Sequence, residues 1–362
     1  MVNYRIGRYF IVSIKLCILD ISTLEKYDLE KMYKIYDEWP KIARESFESN
    51  QKPINFDNIN HIVFAGMGGS GAIGDIFLSI LSKTKIHVNV VKGYRLPTTA
   101  DSNTLVICVS VSGNTTETLS VLDEAYKKKI KIIVFSSGGK MLDYCTKNKI
   151  DHRLVTRYHS PRGSFTSYLY TILKVLHSFL DIKHKDILES ITELENISKK
   201  INSSNLTKNN PSLNIAEWIK DIPMIYYPFG LEPVAIRFKN SLQENNKMHV
   251  IAEDVVEACH NGIVAWEKKN NVTPIFIEGV DDYIKTKERW SVLKEYFQEN
   301  NINVYEVIST KGNILTKIIN LIYILDYSSI YLAILSKTDP SPVNSIDHIK
   351  NKINNHNKIQ SI

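Results

Sequence analysis

Short apolar runs alternate with longer segments of helical spacing along this chain, and the alternation predicts most of its elements. After a helical opening over about Leu24–Asn50, His61–Ala65 is a short apolar run ending in glycines and reads as a strand. Ala72–Leu81 has helical spacing, Ile86–Val91 and Thr104–Val109 read as strands, Glu117–Lys129 as a helix and Lys131–Phe135 as another strand. Ser164–Leu180 and Asp186–Ile201 read as helices that leave this first unit. Short strands alternating with helices of about 10–13 residues predict a parallel sheet covered on both faces. The polar stretch Ser203–Pro211 reads as a boundary. A second alternation follows, with strands at Met224–Tyr227, His249–Ala252, Pro274–Glu278 and Val304–Val307. Its helices fall at Pro233–Glu244 and Ile284–Asn300, and a long apolar helix, Ile314–Leu335, comes last. The expected organisation is an extension over 1–22, a first α/β unit over 23–203, a second over 204–352 and a fraying polar tail over 353–362.

Composition supports a folded protein and narrows the chemistry little. The 362 residues are 43% hydrophobic and 23% charged, enough for a sizeable core and for two domains. Four cysteines, at 17, 108, 145 and 259, form no C-x-x-C pair, which argues against a disulfide framework or a thiolate zinc site. Lys and Arg total 45 against 39 acids, a net +6 that suits anionic metabolites as readily as nucleic acid. The apolar run Tyr9–Leu19 is interrupted by Lys15 and lacks a small-residue cleavage site. It is far below the roughly 20 residues that span a bilayer, and no other segment is read as a span. The expectation is a soluble, cytoplasmic protein with no membrane or nucleic-acid partner.

Two loops carry candidate chemistry. Gly66-Met67-Gly68-Gly69-Ser70-Gly71 lies between a strand and a helix. Glycines there allow close backbone approach, and the helix start offers free N–H groups to an anion. The loop also fits G-x-G-x-x-G, but the second strand ends Val90-Val91-Lys92, without the acid a dinucleotide ribose requires. A tight turn with no ligand explains the same glycines. Ser110-Val111-Ser112-Gly113-Asn114-Thr115-Thr116-Glu117-Thr118 follows another strand. Ser110, Ser112 and Thr115 place three short neutral donors in six residues, more than a helix cap needs. The Walker lysine is missing, so a monophosphate fits better than a nucleoside triphosphate.

A GMGGSG loop followed about forty residues on by SVSGNTTET resembles a sugar-isomerase (SIS) domain, which binds phosphosugars through such a loop. Tyr94-Arg95-Leu96-Pro97, Pro161-Arg162-Gly163, Arg237-Phe238-Lys239-Asn240 and Glu244-Asn245-Asn246-Lys247 extend the likeness. Glu257-Ala258-Cys259-His260-Asn261, Asp339-Pro340-Ser341-Pro342-Val343 and Lys350 complete it. In that order these segments resemble the bifunctional phosphoglucose/phosphomannose isomerase family over roughly residues 24–352. The chain departs from it in the segment from Met1 to about Ile21, which precedes the family's usual start. It departs again at Ser341, where such proteins often carry Thr; the hydroxyl is kept and the methyl lost.

The resemblance implies a fold of two SIS-type α-β-α units, and interconversion of glucose 6-phosphate and mannose 6-phosphate with fructose 6-phosphate through an enediolate. It implies Gly69, Ser70, Ser110, Ser112 and Thr115 as the phosphosugar grip, and Glu244 as the proton shuttle. It further implies His260 for ring opening in the neighbouring active site of a homodimer, Lys350 as an aid to that step, and Arg162 against enediolate charge. By spacing alone the ordinary reading comes first for these residues: Glu244 paired with Lys247 or Arg237 on a helix face, His260 a polar histidine, Lys350 a tail-helix surface lysine and Arg162 a salt-bridged loop residue; their joint order carries the assignment. No cofactor is implied, and the ten histidines include no H-E-x-x-H, so a metal-independent reaction is expected. Two rival readings are a phosphosugar-sensing regulator and an amino-sugar-forming isomerase. No basic recognition-helix module precedes His61, and no glutamine-hydrolysing domain with an N-terminal cysteine is present.

Overall fold

The computed structural model describes residues 19–359. Except for Leu19, the apolar run from Tyr9 lies outside the described residues, as do Cys17 and most of the expected extension. The helical opening consists of three helices, α1 (Ile21–Tyr27), α2 (Met32–Asp37) and α3 (Trp39–Phe47). Asp28 causes the first break. Its buried carboxylate accepts the N–H groups of Met32 and Tyr33 at 2.9 and 2.8 Å, capping α2 where a longer helix would continue. Pro40 at the start of α3 makes the second break.

The first sheet comprises β1 (His61–Ala65), β2 (His87–Val91), β3 (Thr104–Ser110), β4 (Lys131–Ser136) and β5 (Asp151–Leu154). All strands are parallel in the order β2-β1-β3-β4-β5, with α4 (Gly69–Leu81), α5 (Thr116–Lys127) and α6 (Gly139–Asn148) as crossovers. The central strands β1 and β3 are buried along their whole length, as their unbroken apolar runs require. α6 and β5 were not foreseen, because the edge strand Asp-His-Arg-Leu is only half covered and has no apolar run.

Helices α7 (Phe165–Leu176), α8 (His184–Ile201) and α9 (Pro211–Trp218) lead to the second sheet. The polar stretch expected as a boundary closes on a helix start: Asn210 accepts the Leu213 N–H at 3.0 Å, and Pro211 occupies the first turn. Strand β6 (Ile222–Tyr227), α10 (Glu232–Asn246), β7 (Ile251–Asp254), α11 (Val255–Ala258), β8 (Val272–Glu278), α12 (Ile284–Glu299) and β9 (Tyr305–Ile308) follow. They form a parallel sheet in the order β7-β6-β8-β9. The fold is therefore α/β, with two parallel sheets flanked by helices.

Helix α13 (Ile314–Leu335) joins the two units. It packs on α8, α9 and α10, and one continuous apolar cluster contains side chains of both sheets, among them Ile62, Ile107, Ile225 and Ile275. By length and composition this helix would pass for a membrane span, contrary to the sequence expectation, but 94% of its apolar window is buried inside the protein. A helix apolar on all sides is what a core position demands. Its one buried acid, Asp326, meets Arg237 of α10 at 2.6 Å and accepts the Ser241 hydroxyl at 2.8 Å. Burial pushes the Asp326 carboxyl upward, and the Arg237 guanidinium opposes the rise. Over the described part of the expected polar tail, α14 (Asn344–Ile359) is helical and continues past Lys352.

Candidate active site

In a parallel sheet the crevice opens where strand order reverses, at the carboxyl ends of adjacent strands whose helices leave to opposite faces. Here those strands are β1 and β3, and their loops are the glycine-rich and hydroxyl-rich segments. At the first, Gly68 (φ +53°) precedes α4 with no side-chain cap. Ser70 is buried, and a β-carbon on Gly71 would lie 2.7 Å from the Gly66 carbonyl oxygen. At the second, Thr115 stands at the N-cap of α5 but caps nothing; its hydroxyl hydrogen-bonds Ser110 Oγ at 2.9 Å. Ser110 Oγ also accepts the Gly113 N–H at 3.1 Å, and Ser112 Oγ accepts that of Asn114 at 3.2 Å. The hydroxyls thus shape the loop while both helix starts stay open to an anion.

A third loop, unforeseen from sequence, backs this one. Ser136-Ser137-Gly138-Gly139 runs from the last residue of β4 to the first of α6, and Ser137 Oγ donates to the Val111 carbonyl at 2.5 Å. Lys140 N–H donates to Asn114 Oδ1 at 3.1 Å. Gly113, at φ +66°, passes so close that a β-carbon there would collide with the Gly138 carbonyl oxygen. Another Ser/Gly run directly after an apolar strand was the signal that could have revealed it.

The start of α4 and the end of α10 converge on Arg162. A β-carbon on Gly69 would lie 3.4 Å from the Pro161 carbonyl oxygen. Arg162 is buried; its Nη1 meets Glu244 Oε2 at 2.5 Å. Its Nη2 donates to the carbonyls of Pro340 and Ser341 at 2.8 and 3.0 Å. Arg237 supports the arrangement from behind, donating to the Arg162 carbonyl at 3.1 Å while its guanidinium stacks 3.8 Å over the Phe165 ring. Glu244 therefore pairs with neither Arg237 nor Lys247, the partners its helix spacing offered. Lys247, a left-handed C-cap at φ +58°, instead donates to the carbonyls of Glu244 and Pro342 at 2.5 and 2.7 Å. Burial and nearby Arg162 hold its ammonium below the usual lysine range. Sequence reasoning left Lys247 without a role.

Arg162, Glu244 and the Gly69–Ser70 turn thus come together within one chain. His260 and Lys350 do not join them. His260 is exposed after α11, and Lys350 is exposed on α14. Neither side chain forms a hydrogen bond or ion pair among the described residues. No group of three or more His, Cys, Asp or Glu side chains stands in metal-binding proximity among the described residues.

The geometry pairs the open helix starts and the Arg162 guanidinium of the first unit with a carboxylate, Glu244, from the second. Residues 56–179 match the SIS domain model, and residues 208–353 match the model of the bacterial phospho-glucose isomerase C-terminal SIS domain. A bifunctional phosphoglucose/phosphomannose isomerase of Caldicellulosiruptor bescii is 31% identical over 90% of this chain and 98% of its own length. One of Aquifex aeolicus is 29% identical over 91% of this chain and 100% of its own. Among solved structures, a hypothetical protein of Thermus thermophilus superposes with a TM-score of 0.72 at 12% identity, covering 92% of both chains. Two SIS units in this order, with the matching loops and near full-length identity to such enzymes, place the chain in the bifunctional phosphoglucose/phosphomannose isomerase family.

Proposed function

We propose that this protein interconverts glucose 6-phosphate and mannose 6-phosphate with fructose 6-phosphate. The observation that carries the reading is the Arg162–Glu244 pair, at 2.5 Å, linking the two units beside the anion-binding edge. A phosphate held by Ser70, Ser110, Ser112, Thr115 and the open N–H groups of α4 and α5 fixes one end of the open-chain sugar. Glu244 takes the proton from the carbon next to the carbonyl and returns it to the neighbouring carbon, which turns aldose into ketose. The intermediate enediolate carries negative charge, and the buried Arg162 guanidinium offsets it while keeping the carboxylate aimed.

His260 and Lys350 fit this reading as groups completed by a second copy of the chain, since each is exposed within one subunit. The protein is then a homodimer in which His260 passes a proton between ring oxygen and hydroxyl of a sugar bound next door. The same reading has the enzyme working in the cytoplasm without metal, because guanidinium and carboxylate supply the charge and proton chemistry.

The test is a coupled assay of the purified protein on glucose 6-phosphate and on mannose 6-phosphate, with and without EDTA. Turnover of both sugars to fructose 6-phosphate, unaffected by EDTA, is expected. No turnover of either sugar defeats the reading, and loss on chelation restored by zinc defeats its metal-free form.

A further inference from the structure

His159 stands out as a side chain that the isomerase chemistry leaves unused. Its backbone is left-handed at φ +30°, a region a β-substituted residue enters only when its surroundings over-determine it. The surroundings do so. Ser164 Oγ accepts the Tyr158 N–H at 2.9 Å and contacts the carbonyls of Tyr158 and Ser160 at 2.7 and 2.9 Å. Trp39 Nε1 donates to the Gly163 carbonyl at 3.1 Å. Held in this way, the imidazole presents Nε2 to two oxygens, Glu30 Oε2 at 3.1 Å and Ser341 Oγ at 3.3 Å.

Ser341 belongs to a segment held almost entirely by donors from elsewhere. Arg162 binds the carbonyls of Pro340 and Ser341, and Lys247 binds that of Pro342. Asp339 Oδ1 accepts the Ser341 N–H at 2.9 Å. Pro340 and Pro342 have no N–H to donate, so this strap over 339–342 forms no ladder of its own. Its position is set by Arg162, Lys247 and His159, and the first of these also grips Glu244.

We propose that His159 is a positioning residue that locks the 339–342 strap onto Arg162 through the Ser341 hydroxyl, and so fixes the alignment of Arg162 with Glu244. This inference rests on the isomerase reading for its catalytic consequence, but not for the lock itself. The charged groups facing the ring are Glu30, Asp28, Asp339 and Arg162. Its Nδ1 is buried with no hydrogen-bond partner among the described residues, so a proton there would be stranded. A neutral ring with its proton on Nε2 shares that one N–H between the two oxygen neighbours, and burial correspondingly holds the imidazole below its usual range.

Three variants test the lock: His159→Phe keeps the ring volume without the donor, His159→Gln keeps an N–H donor, and Ser341→Ala removes the acceptor. Hydrogen exchange of peptides covering residues 336–346 should accelerate in H159F and S341A and stay near wild type in H159Q. In the isomerase assay H159F should lose kcat by about 2- to 10-fold, the range of one neutral hydrogen bond, with KM changed less than kcat. The H159F/S341A double variant should lose no more than the worse single, because S341A removes only a contact that H159F already breaks. An active wild type with H159F unchanged in both readouts overturns the inference. Additive losses in the double variant overturn it too, since His159 would then act by a separate route. An inactive wild type overturns the isomerase reading instead, and the exchange data alone then decide whether the lock exists.

Discussion

Apart from the extra β5 of the first, the two sheets share one strand order, and their carboxyl edges differ in chemistry. At the first, the loops after β1 and β3 are glycine and hydroxyl, and the helices they start carry no side-chain cap. At the second, the loop after β6 is Pro228-Phe229-Gly230-Leu231, whose Phe229 is 84% exposed. The loop after β8 holds Asp281 and Asp282. Asp282 accepts the Gly279 N–H and the Trp290 indole N–H, both at 3.0 Å, and so places carboxylate at this edge, although α10 and α12 also start without side-chain caps. An anion meets glycine and hydroxyl at one edge and, at the other, an exposed aromatic ring and two carboxylates, one of them paired with Lys317. The second unit contributes from its other side: α10 starts at the carboxyl edge and, at about 1.5 Å per residue, carries Glu244 roughly 18 Å away toward the first unit. One topology thus serves, in the proposed function, once as a phosphate cradle and once as a scaffold for a long helix.

The largest expected effect sharpens this division at the scaffold end. Glu244→Gln keeps an oxygen for Arg162 to bind but removes the proton shuttle. Turnover should fall by about 10²- to 10⁴-fold, the usual contribution of a general acid–base group. Phosphosugar binding, measured by calorimetry, should change little. Near-normal turnover would show that the carboxylate carried across by α10 serves only the ion pair.

At the cradle, Gly113→Ala forces a β-carbon into the Gly138 carbonyl oxygen, at a φ of +66°. The left-handed conformation alone costs an L-residue about 1–2 kcal/mol, so KM for either sugar phosphate should rise at least about 5-fold. The loss should be visible in binding even with E244Q as background. An unchanged KM would mean the loop after β3 is a tight turn and not a grip.

Much of this division was legible in the sequence because it is written in local patterns. The central strands are unbroken apolar runs such as Leu105–Val109, and each hydroxyl loop sits directly behind one. What stayed hidden depends on pairs distant in the chain. Arg162 meets Glu244 across 82 positions, and Arg237 meets Asp326 across 89. A helix pattern places Glu244 on a face but cannot choose among Arg162, Arg237 and Lys247 as its partner. Edge strand β5 was missed for a related reason, since its residues are too exposed to need an apolar run. Asp28, which divides the opening helix, reads locally as one more charged helix residue until its carboxylate is seen to be buried.

The smallest effect is expected at the second edge, and it is the control for the comparison. Asp282→Ala removes the acceptor for two N–H groups and should cost about 1–3 kcal/mol in denaturant unfolding, with KM and kcat within about 2-fold of wild type. Burial pushes the Asp282 carboxyl above its ordinary 3.8, so its ionised form is better accommodated in the unfolded chain. The sign follows: the native state binds the proton more tightly, and the stability this group contributes is full below the unfolded value and declines as pH rises through the raised one. Asp282→Asn, which accepts hydrogen bonds without ionising, should therefore gain on wild type as pH rises from about 4 to 7. If either variant weakens phosphosugar binding as Gly113→Ala does, the second edge also holds anion, and the two edges are alike after all.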